Sequence, residues 1–170
     1  TTRRMETNPG LRGERETTMP TATTNEILDQ LGVLISLEHM GEKLLERASR
    51  APEDPRESAY LWQLATEYRD HARILRRHRR SLDKHVAEVE YPRWPRGRGP
   101  SPKESLESAA ETTRQLAGEY RSTVSLHDDP YLKKFLAILA EEHDRCALML
   151  EFLSDGKFIF PELEEETITD

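Results

Sequence analysis

Apolar residues recur at spacings of three and four along four stretches of this chain, and clusters of proline, glycine, aspartate and serine separate the stretches. That rhythm predicts amphipathic helices, because residues three and four apart share one helix face. The first runs from about Thr24 to Ser49, capped by Thr24 with Glu26 in its first turn, and its stripe is Leu31, Leu34, Glu38, Gly41, Leu45 and Ala48. Ala51-Pro52-Glu53-Asp54-Pro55 stops it and turns the chain. The second runs from about Arg56 to Glu90 and carries Leu61, Leu64, Tyr68, His71, Leu75, His78, Leu82, His85 and Val89 on one face. Ser101 caps the third, with Pro102 in its first position and Glu104 completing a capping box; its stripe is Leu106, Ala110, Thr113, Ala117, Tyr120 and Val124. The fourth runs from about Pro130 to Ser154, closed by Asp155-Gly156, with Phe135, Leu139, Glu142, Cys146, Met149 and Leu153 in line. Four apolar stripes of this kind predict an all-α four-helix bundle.

The stripes also repeat. Leu64-Ala65-Thr66-Glu67-Tyr68-Arg69-Asp70-His71-Ala72 returns 75 residues later as Leu139-Ala140-Glu141-Glu142-His143-Asp144-Arg145-Cys146-Ala147, so the bundle reads as two related helical hairpins. Residues 23–155 form the bundle, with a linker over 91–100. Residues 1–22 are a polar, threonine-rich leader expected to be flexible, and 156–170 are an acidic C-terminal tail. About 11 linker residues reach roughly 36 Å at full stretch, close to the bundle's length, which leaves the direction of the third helix relative to the second open.

Composition narrows the class. With 35% hydrophobic and 34% charged residues and only 8 glycines in 170, the chain suits one helical domain. No apolar run is long enough to span a membrane, and the reading is cytoplasmic. Its single cysteine, Cys146, rules out an internal disulfide framework. A net charge of −7 argues against nucleic acid, and the basic run of Arg76, Arg77, Arg79 and Arg80 comes with no aromatic stacking platform. The expected partners are a second copy of the chain, in a dimer or other homo-oligomer, or a protein contacting the tails or the arginine-rich linker.

The candidate chemistry lies in the polar residues within the stripes, since an ionisable group in a bundle core is costly unless a partner satisfies it. Glu38, His71 and Glu142 are the clearest. Folding the first two helices about residue 53 or 54 brings Glu38 within about one turn of His71. Glu67 lies one turn from His71 on an adjoining face, and His143 and Cys146 flank Glu142. Carboxylates and imidazoles converging at mid-depth are how helical bundles hold iron, manganese or zinc, so Glu38, Glu67, His71, Glu142, His143 and Cys146 are the candidate metal ligands.

The hairpin carrying Glu38, Ala48 and Leu64-Ala65-x-Glu67-x-x-x-His71 resembles half of the ferritin-like superfamily, in particular its rubrerythrin branch. The resemblance covers roughly residues 24–155. It implies two hairpins joined by a crossover around a metal centre that is usually di-iron, with a lone glutamate on helices 1 and 3 and Glu-x-x-His on helices 2 and 4. Glu38 matches the helix 1 ligand and His71 the helix 2 imidazole. Three positions depart from the motif: Tyr68 stands three before His71 where the family has glutamate, Thr113 stands opposite Glu38 in the repeat, and Cys146 stands where the second histidine belongs. The second half-site is therefore degenerate, and a single metal is an alternative to the pair. A hemerythrin-like arrangement fails on counting, because the third helix has no histidine before His127.

Two functions from different classes follow. The resemblance implies a ferritin-like metal-binding protein, an iron-dependent oxidoreductase or ferroxidase in its enzymatic form. The alternative is a non-catalytic bundle of the same ancestry serving as an interaction or assembly subunit.

Overall fold

The computed structural model describes residues 23–91 and 99–157; the leader, linker residues 92–98 and the tail from 158 lie outside it. Among the described residues there are four α-helices and no strand: α1 (Thr24–Ala48), α2 (Pro55–Leu82), α3 (Pro102–Val124) and α4 (Pro130–Ser154).

The helix ends follow local chemistry. The α1 cap is Thr23, one residue before the expected Thr24; its side chain accepts from the Glu26 backbone N–H while the Glu26 carboxylate accepts from Thr23 N. Ser101 and Glu104 form the same reciprocal box on α3, with Pro102 at the first position. The two return helices both start Asp-Pro, at Asp54-Pro55 and Asp129-Pro130, and each aspartate caps its helix through a side-chain oxygen. Gly156, at φ 65°, closes α4 in the left-handed conformation that glycine adopts without strain.

Contacts between helices give their directions. Ser58 Oγ donates to Ser49 O at one end of α1 and Arg79 Nε donates to Leu28 O at the other, so α1 and α2 are antiparallel. Gln30 meets Glu119 and Arg47 meets Gly99, so α1 and α3 are antiparallel too. Arg114 pairs with Glu151 and Arg121 with Asp144, which sets α4 against α3. It follows that α2 and α3 are parallel, and the chain between them crosses from one end of the bundle to the other.

The early end of α2 provides that crossover. It stops at Leu82, eight residues before the expected Glu90. Arg79 lies level with Leu28, so two further turns would project past the start of α1. The basic run holds the departing chain instead: Arg79 donates to Ala87 O, Arg80 pairs with Glu88, and Arg76 donates to the Tyr91 hydroxyl while its guanidinium lies over that ring. Tyr91 also packs on His39, halfway along α1, and Gly99 sits at its far end. Between Leu82 and Pro102 there are 19 residues, a reach of roughly 63 Å against about 38 Å for a 25-residue helix.

The 75-residue repeat runs through the whole core. Leu61, Leu64, Ala65, Ala72 and Leu75 of α2 are buried, as are their mates Leu136, Leu139, Ala140, Ala147 and Leu150 of α4. This corrects the phase expected for α4. His143 is on the buried line and 1% exposed, while Phe135, Glu142, Cys146 and Met149 are half-buried beside it. On α2, His71 and His78 are half-buried and Leu82 is exposed, as is His85 beyond the helix end.

Candidate metal centre

Helix α1 packs against α2 and α3, and α3 against α4, but no Cα of α2 comes within 8 Å of one in α4. The gap between α2 and α4 is a cleft of about 280 Å³ lined by Glu67, Tyr68, His71, Glu142, His143, Arg145 and Cys146. Against His71 and His143, reaching over from α1, is Glu38, fully buried.

Three side chains from three helices converge there. His143 Nε2 lies 3.3 Å from Glu38 Oε1, and His71 Nδ1 lies 3.4 Å from the same oxygen. The rings of His71 and His143 are 5.5 Å apart at 52°. Neither nitrogen makes an aligned hydrogen bond, and Glu38 Oε2 has no partner at all. The opposite face of His143 explains its tautomer: Nδ1 lies 2.7 Å from Leu139 O, and only an N–H can bond to a carbonyl. In a neutral His143 the proton is thus on Nδ1, and the Nε2 lone pair faces a carboxylate oxygen. Two lone pairs at 3.3 Å repel unless a proton or a cation lies between them.

The surroundings hold this geometry. Tyr120 of α3 donates its hydroxyl to Glu38 Oε1. The Thr113 hydroxyl donates to Ala109 O at 2.7 Å, so the 2.6 Å contact between Tyr68 and Thr113 has the tyrosine as donor, directing that proton away from Glu38. The Tyr68 and Tyr120 rings pack 5.0 and 5.1 Å from the His143 ring. Burial alone pushes the Glu38 carboxyl up, but His143 and His71 outweigh it and hold Glu38 below the usual carboxylate range. For His71, burial pushes down while Glu38, then Glu142 and Glu67, raise the imidazole above its ordinary value. The Cys146 thiol is pushed up to about 11 by burial and then by Glu67 and Glu142, which leaves it an inert thiol at neutral pH.

The six candidate ligands thus divide. Glu38, His71 and His143 form one cluster whose donor atoms all lie within 4.8 Å of one another, and among the described residues no other group of three such side chains does. Glu67, Glu142 and Cys146 line the cleft leading to it. Glu67 is exposed and accepts from Gln63 Nε2 at 3.0 Å. Tyr120 could be read from the sequence only as a core aromatic; its tie to Glu38 needed the packing of α3 on α1.

The donor set fits a transition-metal ion. Two imidazoles and one carboxylate are the ligands of mononuclear non-haem iron sites, and here Glu38 and His143 are buried while His71 is half-buried at the cleft; the Nδ1–H to carbonyl bond behind His143 is the usual support of a metal-bound histidine. Ligands held about 2.0–2.2 Å from one ion stand roughly 3.0–3.5 Å apart, which spans the observed 3.3 and 3.4 Å.

An all-α four-helix bundle with a crossover between α2 and α3 and a buried Glu/His/His cluster defines the class. No protein-family model matches the chain, nor does any curated protein. Among solved structures, the chain is similar to a two-domain protein from Anabaena variabilis containing DJ-1/ThiJ/PfpI-like and ferritin-like domains, with a TM-score of 0.57 and 14% identity over 93% of this chain and 48% of that one. The chain spans about half the length of that protein. The likeness is one of fold, and the fold is ferritin-like.

Proposed function

We propose that this chain is a metal-binding protein of rubrerythrin-type ancestry, in which Glu38, His71 and His143 hold one divalent transition-metal ion, iron before manganese or zinc. The observation that carries the reading is that His71 Nδ1 and His143 Nε2 both converge on Glu38 Oε1, while the two nitrogens and the second carboxylate oxygen, Oε2, are buried without a hydrogen-bond partner. Unpartnered polar atoms in a core cost about 1–3 kcal/mol each, and a bound cation removes that cost for all three. Bound iron would supply one-electron chemistry, oxidation of Fe(II) by dioxygen or reduction of peroxide. The chain's own contributions are distinct from it. Tyr120 fixes the Glu38 carboxylate, Leu139 O fixes the His143 tautomer, and the cleft between α2 and α4 admits a small oxidant while Leu64, Leu75 and Leu139 close the core around it.

The test is to measure metal bound per chain by equilibrium dialysis of purified protein against Fe(II), Mn(II) and Zn(II), beside Glu38→Gln and His143→Gln. One equivalent of metal held by the wild type and missing from both variants supports the site. Dioxygen consumption on adding Fe(II) then separates an oxidase from a passive binder. A wild type that takes up none of the three metals at this cluster sinks the proposal.

A further inference from the structure

We infer that His78 and His127 form a second cation site, at the bundle end where α2 meets the α3–α4 turn, taking a nitrogen-preferring divalent ion such as zinc, copper, nickel or cobalt. His78 stands seven residues beyond His71 on α2, about 10 Å along the axis. His127 lies in the turn before α4 and is 5% exposed. The two rings are 5.7 Å apart and inclined at 52°, nearly the disposition of His71 and His143 at 5.5 Å and 52°. In both residues Nε2 is buried and has no hydrogen-bond partner. Two buried ring nitrogens left without partners on neighbouring rings are each unfavourable by about 1–3 kcal/mol, and a cation shared by the two rings would satisfy both.

Of the charged residues nearby, Asp129 acts on both imidazoles and Asp128 on His127 in the sense that favours a cation, while Lys133 opposes them at His127. The Asp129 carboxylate is held in place by its cap, with Oδ1 accepting from Tyr131 N and Leu132 N, so it acts as a fixed negative charge beside the pair. Burial lowers both histidines below their ordinary value, which keeps the rings neutral and available as ligands near pH 7. The pair offers nitrogen and no oxygen, which disfavours Mg²⁺ and Ca²⁺. The inference does not depend on the Glu38 cluster.

Zinc bound per chain, measured by equilibrium dialysis of the full chain in excess Mg²⁺, tests it. Wild type should bind two equivalents, E38Q/H143Q one, and H78Q or H127Q one, with the affected site weakened at least tenfold. Because H127Q changes a buried residue, the half-buried H78Q provides the same test with less risk to folding. A single equivalent that survives E38Q/H143Q and is lost in H78Q sustains this site and removes the triad. Zinc uptake that is abolished by E38Q/H143Q, or left whole by H78Q and H127Q, overturns the inference.

Discussion

Replacing Gly41 by alanine should destabilise this protein, although the same change in a helix normally does the opposite. Alanine is favoured over glycine by about 1 kcal/mol in a helix interior. At Gly41, however, an added Cβ would sit 2.5 Å from both Cδ1 and Cε1 of Tyr68, where ordinary contacts are 3.4–4 Å. The ring must therefore retreat by about 1 Å, and it has nowhere to go. Tyr68 is 1% exposed, its hydroxyl is bonded to Thr113 at 2.6 Å, and His143 packs 5.0 Å away. Overpacking costs about 1–3 kcal/mol and a strained or broken hydrogen bond about 1 kcal/mol more, so after the helix gain the net loss is about 1–3 kcal/mol. For a chain of this size that lowers Tm by roughly 2–10 °C.

The control is Gly118→Ala on α3, where an added Cβ meets nothing within 4 Å, and where stability should rise by up to about 1 kcal/mol. Thermal and urea unfolding followed by helix circular dichroism measure both. A cycle with Tyr68→Leu isolates the clash, since removing the ring should abolish the cost of Gly41→Ala. If Gly41→Ala matches or exceeds wild type in stability, the close approach of α1 to α2 at Tyr68 is refuted.

The metal-free and metal-bound proteins should respond to pH in opposite senses. His71 is raised above its ordinary 6.5, so its contribution to stability is full below that pH and is lost as pH rises through the folded value; Glu38 is lowered from 4.5, so its contribution is full above 4.5 and is lost as pH falls through the folded value. The stability difference between wild type and His71→Gln without metal should thus be greatest between 4.5 and 6.5 and shrink above it. Metal binding displaces the imidazole proton, so the gain in Tm on adding Zn²⁺ should grow from acid to neutral pH; a gain that is flat across that range contradicts ligation by His71. Tyr120→Phe should keep the helical spectrum and still bind metal, but roughly 10–100-fold more weakly, because the carboxylate loses the hydroxyl that orients it. Unchanged affinity in the dialysis titration would show that Tyr120 is packing alone.

What was legible in the sequence follows what local chemistry decides. Asp-Pro and Ser-Pro starts, the capping boxes and Asp155-Gly156 act within a few residues of themselves, so α3 begins, and α4 begins and ends, where they are expected. The end of α2 is decided by something remote. Residues 83–90 suit a helix as well as a strap, and only the length of α1 and the carbonyls of Leu28 and Ala87 facing Arg79 select the strap. The α4 phase was missed for a different reason. Its apolar side is broad enough for two stripes one residue apart, one holding Glu142 and Cys146, the other His143. The signal that separates them was in the chain: the 75-residue offset sets His143 opposite Tyr68, not opposite His71.

That same offset explains why the site is single. Glu38 and Thr113 are repeat mates, and so are Tyr68 and His143. The Glu38–His143 contact joins the first hairpin to the second, and its counterpart across the pseudo-twofold is the Thr113–Tyr68 hydrogen bond. One crossing joins a carboxylate to an imidazole, while the other is a neutral pair tied off to Ala109 O. His71 completes the first crossing, but its mate Cys146 is a buried thiol that adds no ligand to the second. A symmetric centre would have placed at least two carboxylates and their imidazoles at the same depth of a narrow core. With Thr113 and Tyr68 in one half, Glu38 is the fully buried carboxylate at that depth, with Glu67 and Glu142 in the cleft beside it, and two imidazoles and Tyr120 suffice to hold it. The asymmetry of the duplication is thus what keeps a buried carboxylate tolerable when no metal is bound.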